Sequence, residues 1–238
     1  MNNILNLIKG EIIRLVKYRI IFFGILVSLI WILIVAFQTP EQAKGLIPLL
    51  VVTDSGMMAI ILIGAGFYYE KQENTIKSVL VSPVSLSQVL ISKIVSAVVM
   101  AFISVIVVVG SAIIIHGISV SIFELILYVL VVVISHTGLG YIVILKSPDF
   151  LAMLVKLSGL ILIFYLPTLL VILKIIPENL EIFALLSPTY SGELLIKSTM
   201  NQTDLLTKLL ALGYLSVLGI GIYWLIVYPK FKQYAIQG

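Results

Sequence analysis

Residues 67–85 read "FYYEKQENTIKSVLVSPVS". This is the longest markedly polar interruption in the first two-thirds of an apolar chain, and its reading decides what the flanking segments are. Glu70, Lys71, Gln72, Glu73, Asn74, Thr75 and Lys77 stand together, and the run stops at Pro83. Of the whole chain, 61% is hydrophobic and 11% charged, against about 25% charged in soluble domains. Mean hydropathy is +1.21. Several apolar runs exceed the ~20 residues a helix needs to cross the hydrocarbon core. The runs lack the alternation of a barrel strand, and lipid offers no partner for backbone N–H and C=O groups. An all-α integral membrane protein is expected.

Six transmembrane helices are predicted: Ile20 to Phe37, Leu46 to Tyr69, Val89 to Ile115, Ile122 to Leu145, Phe150 to Leu173 and Leu205 to Tyr228. Together they make residues 1–238 a single transmembrane domain with little room for a soluble one. The N-terminus lacks the continuous apolar core and small-residue cleavage site of a signal peptide. Basic residues set the orientation. With a cytoplasmic N-terminus, Lys9, Arg14, Lys17, Arg19, Lys71, Lys77, Lys93, Lys146, Lys156, Lys230 and Lys232 fall inside. Only Lys44, Lys174, Lys197 and Lys208 fall outside. That asymmetry obeys the positive-inside rule, and an even span count returns the C-terminus to the cytoplasm. The stretch 70–83 is then an inner loop.

Residues 1–17 form a separate amphipathic element. Ile4, Leu5, Ile8, Ile12, Leu15 and Val16 share one arc, opposite Asn2, Asn6, Lys9, Arg14 and Lys17; Leu7 and Ile13 are exceptions. Such a helix suits the cytoplasmic interface, with cations among anionic head groups; the alternative is a frayed extension of the first span. On the other side, residues 175–204 make one long extracellular segment. It is too apolar for a solvated loop and too broken, at Pro177 and Pro188, for a span. Short helices at or dipping into the outer leaflet are expected there.

No catalytic constellation is present. The chain has no cysteine, which excludes thiol chemistry and thiolate metal sites. It has no G-x-x-x-x-G-K-[ST] loop for phosphates, no H-E-x-x-H and no G-x-S-x-G. His116 and His136 lie at different depths, so no metal site is expected.

A few polar groups fall within the spans. Asp54, in "VVTDSGMM", either lines a transport path and receives a cationic substrate, or N-caps a helix that begins there after Pro48. His136, in "SHTGLG", either titrates or binds substrate, or is hydrogen-bonded to a neighbouring helix. Pro167 is expected to kink the fifth span, which suits a pathway helix. Lys93 and Lys156 are expected to snorkel to the cytoplasmic interface, and Glu124 to be interfacial. The glycine pairs 64/66, 138/140 and 219/221 allow close helix approach.

Physically, the 70–83 loop reads as a short helix. Ile76, Val79 and Leu80 share a face, Pro83 ends the helix, and Ser85-x-x-Gln88 is a capping box that starts the third span. An idle connection needs only a handful of residues. A short cytoplasmic helix with an apolar face and charged flanks is shaped to dock into a partner's groove. The alternative is a helix resting on the bilayer, against which its mixed charge argues.

The run "GAGFYYEKQENTIKSVLVSPVSLSQVLISK", together with the order of elements, resembles the permease subunit of type-2 ATP-binding-cassette exporters. "LIPLLVVTDSG" and "LLSPTYSGELL" look like the fluoroquinolone-export permeases among them. The resemblance implies a half-transporter. A second permease subunit, in a homodimer or heterodimer, completes the pathway in the lipid bilayer of the cell membrane. A separate cytoplasmic ABC ATPase subunit binds ATP and Mg, which this chain does not. The loop carries ATPase coupling through Glu70, Glu73, Thr75, Ile76, Val79, Leu80 and Pro83. Asp54, His136 and Pro167 are the substrate-path candidates. The expected function is export of an amphipathic substrate, such as a drug, peptide or lipid-like molecule, by a multi-pass protein with no nucleic-acid partner. The alternatives are a secondary transporter or channel without an ATPase, and a membrane enzyme or assembly factor.

Overall fold

A computed structural model describes the chain except for Met1, Lys77, Val79 to Val81, Gln237 and Gly238; the side chains of Asn2, Lys232 and Tyr234 to Ile236 are likewise left out. Among the described residues there are helices and turns and no strand. α1 covers Asn2–Lys17 and α2 covers Ile20–Ala36. Arg19 between them adopts a left-handed backbone at φ 57°, and the two helices bend by 65°. Five further helices are long and apolar enough to cross a membrane: α3 (Pro40–Gln72), α4 (Leu86–His116), α5 (Ile122–Leu145), α6 (Phe150–Ile172) and α9 (Leu205–Phe231). The bent α1–α2 pair brings the number of candidate spans to six. α7 (Glu181–Ala184) and α8 (Pro188–Ser198) lie between α6 and α9.

Boundaries follow local capping chemistry. α3 starts six residues before the expected Leu46, because Thr39 and Gln42 form a capping box and Pro40 occupies the first turn. α4 starts at Leu86 because Ser85 Oγ accepts from the Gln88 backbone N–H while the Gln88 side chain accepts from the Ser85 N–H. Asp149 and Asp204 cap α6 and α9. At the end of α3, Asn74 takes a left-handed conformation at φ 55°, the backbone that turns a chain out of a helix and that Asn tolerates better than most residues.

α3 is continuous but not uniform. Thr53–Met58 forms a π-helical turn in its middle, flanked by hydroxyl back-bonds from Thr53 to the Leu49 carbonyl and from Ser55 to the Val51 carbonyl. The reading of Asp54 as the N-cap of a span starting there is therefore incorrect: the cap is Thr39, and Asp54 sits nearly halfway along the helix.

The core lies along α3, α4 and α5. Small residues let these helices close up. A Cβ on Gly140 would fall 2.7 Å from Ile60 Cγ2, and one on Gly219 would fall 3.1 Å from the Ser135 backbone. The partners of these pairs differ, since Gly66 and Gly221 face open space. α8 is buried almost along its whole length against α3, α5, α6 and α9. α6 is the least embedded span, and Pro167 lies inside it without interrupting the helix.

Candidate functional site

The 70–83 loop is held from beneath by α1. Burial of Glu11 and Leu15 shows that α1 turns one stripe of its apolar arc onto the protein, chiefly onto α4, and leaves Leu5, Ile13 and Val16 exposed. Arg14, expected on the polar side, reaches the bundle from the flank of that stripe. It donates to Glu70 Oε1, and its second nitrogen lies 3.1 Å from Glu11 Oε1. Lys93 Nζ donates to the same two carboxylates, at 2.7 Å to Glu70 and 3.0 Å to Glu11. Two acids and two bases thus close a neutral ring joining α1, the end of α3 and the start of α4.

This geometry corrects the snorkelling reading of Lys93. The lysine is 3% exposed, and Glu70 and Glu11 are also buried. A cation enclosed in a bundle needs paired counter-charge, and here two carboxylates provide it. Lys156 behaves differently: it is exposed on α6 and donates to the Lys146 carbonyl at the end of α5.

Further contacts fasten both ends of the loop to α1 and the turn that follows it. Tyr18 OH donates to Glu73 at 2.6 Å, and its ring stacks on Tyr69 with centroids 4.8 Å apart. Asn3 Nδ2 donates to the Pro83 carbonyl. Within the loop, Thr75 Oγ1 donates to the Glu70 carbonyl. Ile76 is 1% exposed and belongs to the hydrophobic core, so its side chain packs inward rather than presenting a free apolar face. Gln72, Glu73, Asn74, Ser78 and Pro83 are exposed. Val79 and Leu80, expected to share the face of Ile76, lie outside the described residues.

The ABC-2 type transporter family model matches residues 3–198, from the start of α1 to the end of α8. The chain belongs to the ABC-2 type transporter family. A comparison with curated proteins returns no significant match. ABC-2 permeases are transmembrane components of ABC transporters and are not themselves catalytic. Such permeases normally work with an ABC ATPase and a second permease. This one is a multi-pass membrane protein. Among its described residues, no group of three or more acidic or histidine side chains is placed to hold a metal ion.

The permease's intramembrane candidates do not converge. Asp54 Oδ1 accepts from Trp31 Nε1 at 2.9 Å and Oδ2 accepts from Ser104 Oγ, linking α2, α3 and α4. Ser28 Oγ donates in turn to Ser104 Oγ at 3.1 Å. His136 is fully buried; its Nδ1 lies 2.9 Å from the Val132 carbonyl of its own helix, and among the described residues no neighbouring helix supplies a hydrogen-bond partner. Its ring fills the space beside Gly56 in the π turn. Pro167 lies on α6, whose Tyr165 OH donates to Thr53 Oγ1 beside Asp54, at 3.0 Å.

Several members of these clusters escape a reading of the sequence alone. Glu11 carries a signal that a helical projection holds. It falls three residues after Ile8 and four before Leu15, so it lies inside the apolar arc, where a lone carboxylate demands a partner. Trp31 and Ser104 carry no such signal, because tryptophan and serine are ordinary residues in membrane helices.

Proposed function

We propose that this permease exports an amphipathic substrate across the cell membrane, with energy from ATP hydrolysed on a separate subunit that docks at the 70–83 loop. The observation that supports this most is the attachment of that loop. It is fastened at one end to α1 and at the other to the turn after α1, and continues into a buried ring of charge shared by α1, α3 and α4. A push on the loop therefore displaces three elements together, as a two-state rearrangement of packed helices needs. The exposed residues Glu73, Ser78 and Pro83 form the contact with the ATPase. Glu70, Thr75 and Ile76 transmit from behind it. Val79 and Leu80 complete the apolar part of that contact.

The orientation that fits has the loop and both termini in the cytoplasm, in line with the basic residues clustered on that side. The resemblance of "LIPLLVVTDSG" and "LLSPTYSGELL" to fluoroquinolone-export permeases favours a drug-like cargo. Two permease subunits form the pathway, and the few intramembrane charges suit an amphipathic cargo better than an ion. Asp54, His136 and Pro167 remain the path candidates. Asp54 lines a cavity between α2, α3 and α4.

Affinity purification from native membranes tests the proposal. A subunit bearing a Walker motif is expected to co-purify, and Ser78→Trp or Glu73→Arg is expected to reduce its recovery without reducing membrane insertion. Undiminished transport in ATP-free proteoliposomes would overturn the proposal in favour of a secondary transporter.

A further inference from the structure

A cavity of about 200 Å³ opens between α2, α3 and α4. Phe23, Val27, Met58, Leu62, Met100 and Ile103 make most of its wall, and Phe23 at its mouth is 59% exposed. Among the described residues, Asp54 is the one charged residue that lines it. The carboxylate is 5% exposed, and no lysine, arginine or histidine pairs with it among the described residues. Trp31 donates to one of its oxygens and Ser104 to the other, and the hydroxyl of Ser28 lies behind Ser104.

The π turn is an independent observation at the same place. π turns in α-helices are rare and gather at functional sites, because the extra residue shifts which side chains share a face. Here it puts Asp54 against α2 and α4 while Gly56 meets His136 on α5. A carboxylate kept in the bilayer by two neutral donors lacks counter-charge, and an apolar chamber beside it holds the body of a ligand that brings one.

We infer that this cavity binds a lipophilic cation: an ammonium group seats against Asp54 while its apolar body fills the chamber below. The inference rests on the permease reading only in treating such a ligand as cargo. Binding itself needs neither ATP nor a partner.

The test uses the full chain in phosphatidylcholine nanodiscs without ATPase. The chain has two tryptophans, so Trp224→Phe leaves Trp31, the donor to Asp54, as the reporter. Phenyltrimethylammonium, small enough for the chamber, is titrated alongside tert-butylbenzene, its uncharged isostere. Saturable change in Trp31 emission is expected for the cation, at least tenfold weaker for the isostere and at least tenfold weaker in Asp54→Asn. Equal binding of the isostere, equal binding by folded Asp54→Asn, or no saturable signal overturns the inference. Should Asp54→Asn fail to fold, Ala65→Phe fills the cavity without touching the carboxylate. It is expected to abolish binding, and native-like binding by folded Ala65→Phe overturns the site. Loss of cation binding leaves an ATPase partnership standing, and absence of an ATPase leaves cation binding standing.

Discussion

Lys93 and Glu70, 23 residues apart, meet at 2.7 Å in a site where the lysine is 3% exposed and the glutamate 4%. Glu70 lies where α3 leaves the bundle and Lys93 lies two turns into α4, so the pair spans the base of the 70–83 loop. Glu11 and Arg14 complete the ring from α1.

Removing one partner of a buried pair costs about 3–5 kcal/mol, because the other charge is left enclosed. Lys93→Met strands Glu11 and Glu70 with Arg14 alone and is expected to lower Tm of the purified permease markedly. Glu70→Gln is expected to act in the same direction. The double variant Lys93→Met/Glu70→Gln loses less than the two single effects added, since it leaves Glu11 facing Arg14. Additive losses in thermal unfolding would show that the two side chains do not share one network.

The glycines separate close packing from open surface. At Gly219 an added Cβ meets the Ser135 backbone at 3.1 Å, and backbone yields less than a side-chain tip. Gly219→Val is expected to lower Tm by several degrees. Gly221→Ala, two residues on, faces open space and recovers part of the roughly 1 kcal/mol by which alanine exceeds glycine in a helix interior. Equal Tm values for the two variants would refute the packing at the α5–α9 contact.

How much was legible in the sequence depended on whether the signal was local. The spans, the Ser85–Gln88 box and the amphipathic α1 are set by residues within a few turns of each other, and the expected positions fall within a few residues of the observed ones. The start of α3 escapes a hydropathy reading because "PEQAKG" is polar, although Thr39, Pro40 and Gln42 carry a complete helix-start pattern. The fate of Lys93 was not local. A lysine two turns into a span reads as a snorkelling residue until α1 delivers Glu11 from 82 residues away. Ile76 failed in the same way: its helical face was visible, but not that the bundle itself covers it. Asp54 showed as an intramembrane acid, yet its donors Trp31 and Ser104 come from two other helices.

The capping box at the loop's exit is expected to govern local order there. Ser85→Ala removes the acceptor of the Gln88 N–H and costs about 1 kcal/mol of helix start. Amide exchange at Gln88 and Val89 is expected to rise about fivefold, with little change at Ala97 or beyond. Uniform acceleration along α4 would mean the cap stabilises the whole helix rather than its first turn.

Glu193 on α8 links stability to pH. Its side chain is 2% exposed and its Oε1 has no hydrogen-bond partner among the described residues. Burial pushes its carboxyl up to about 7 from an ordinary value of 4.5, and Lys197 one turn away only partly opposes this. The folded permease therefore holds this proton across a pH range in which the unfolded chain has released it. The associated stability is fully present below about pH 4.5, falls as pH rises towards 7 and is gone above it; its full size is on the order of 3 kcal/mol. Thermal unfolding at pH 5.5 and pH 8 is expected to give a higher Tm at the lower pH. Glu193→Gln, neutral at both, is expected to flatten that component and to keep the higher stability at pH 8. A Gln variant with the same difference between the two pH values as the native protein would assign the effect to other groups.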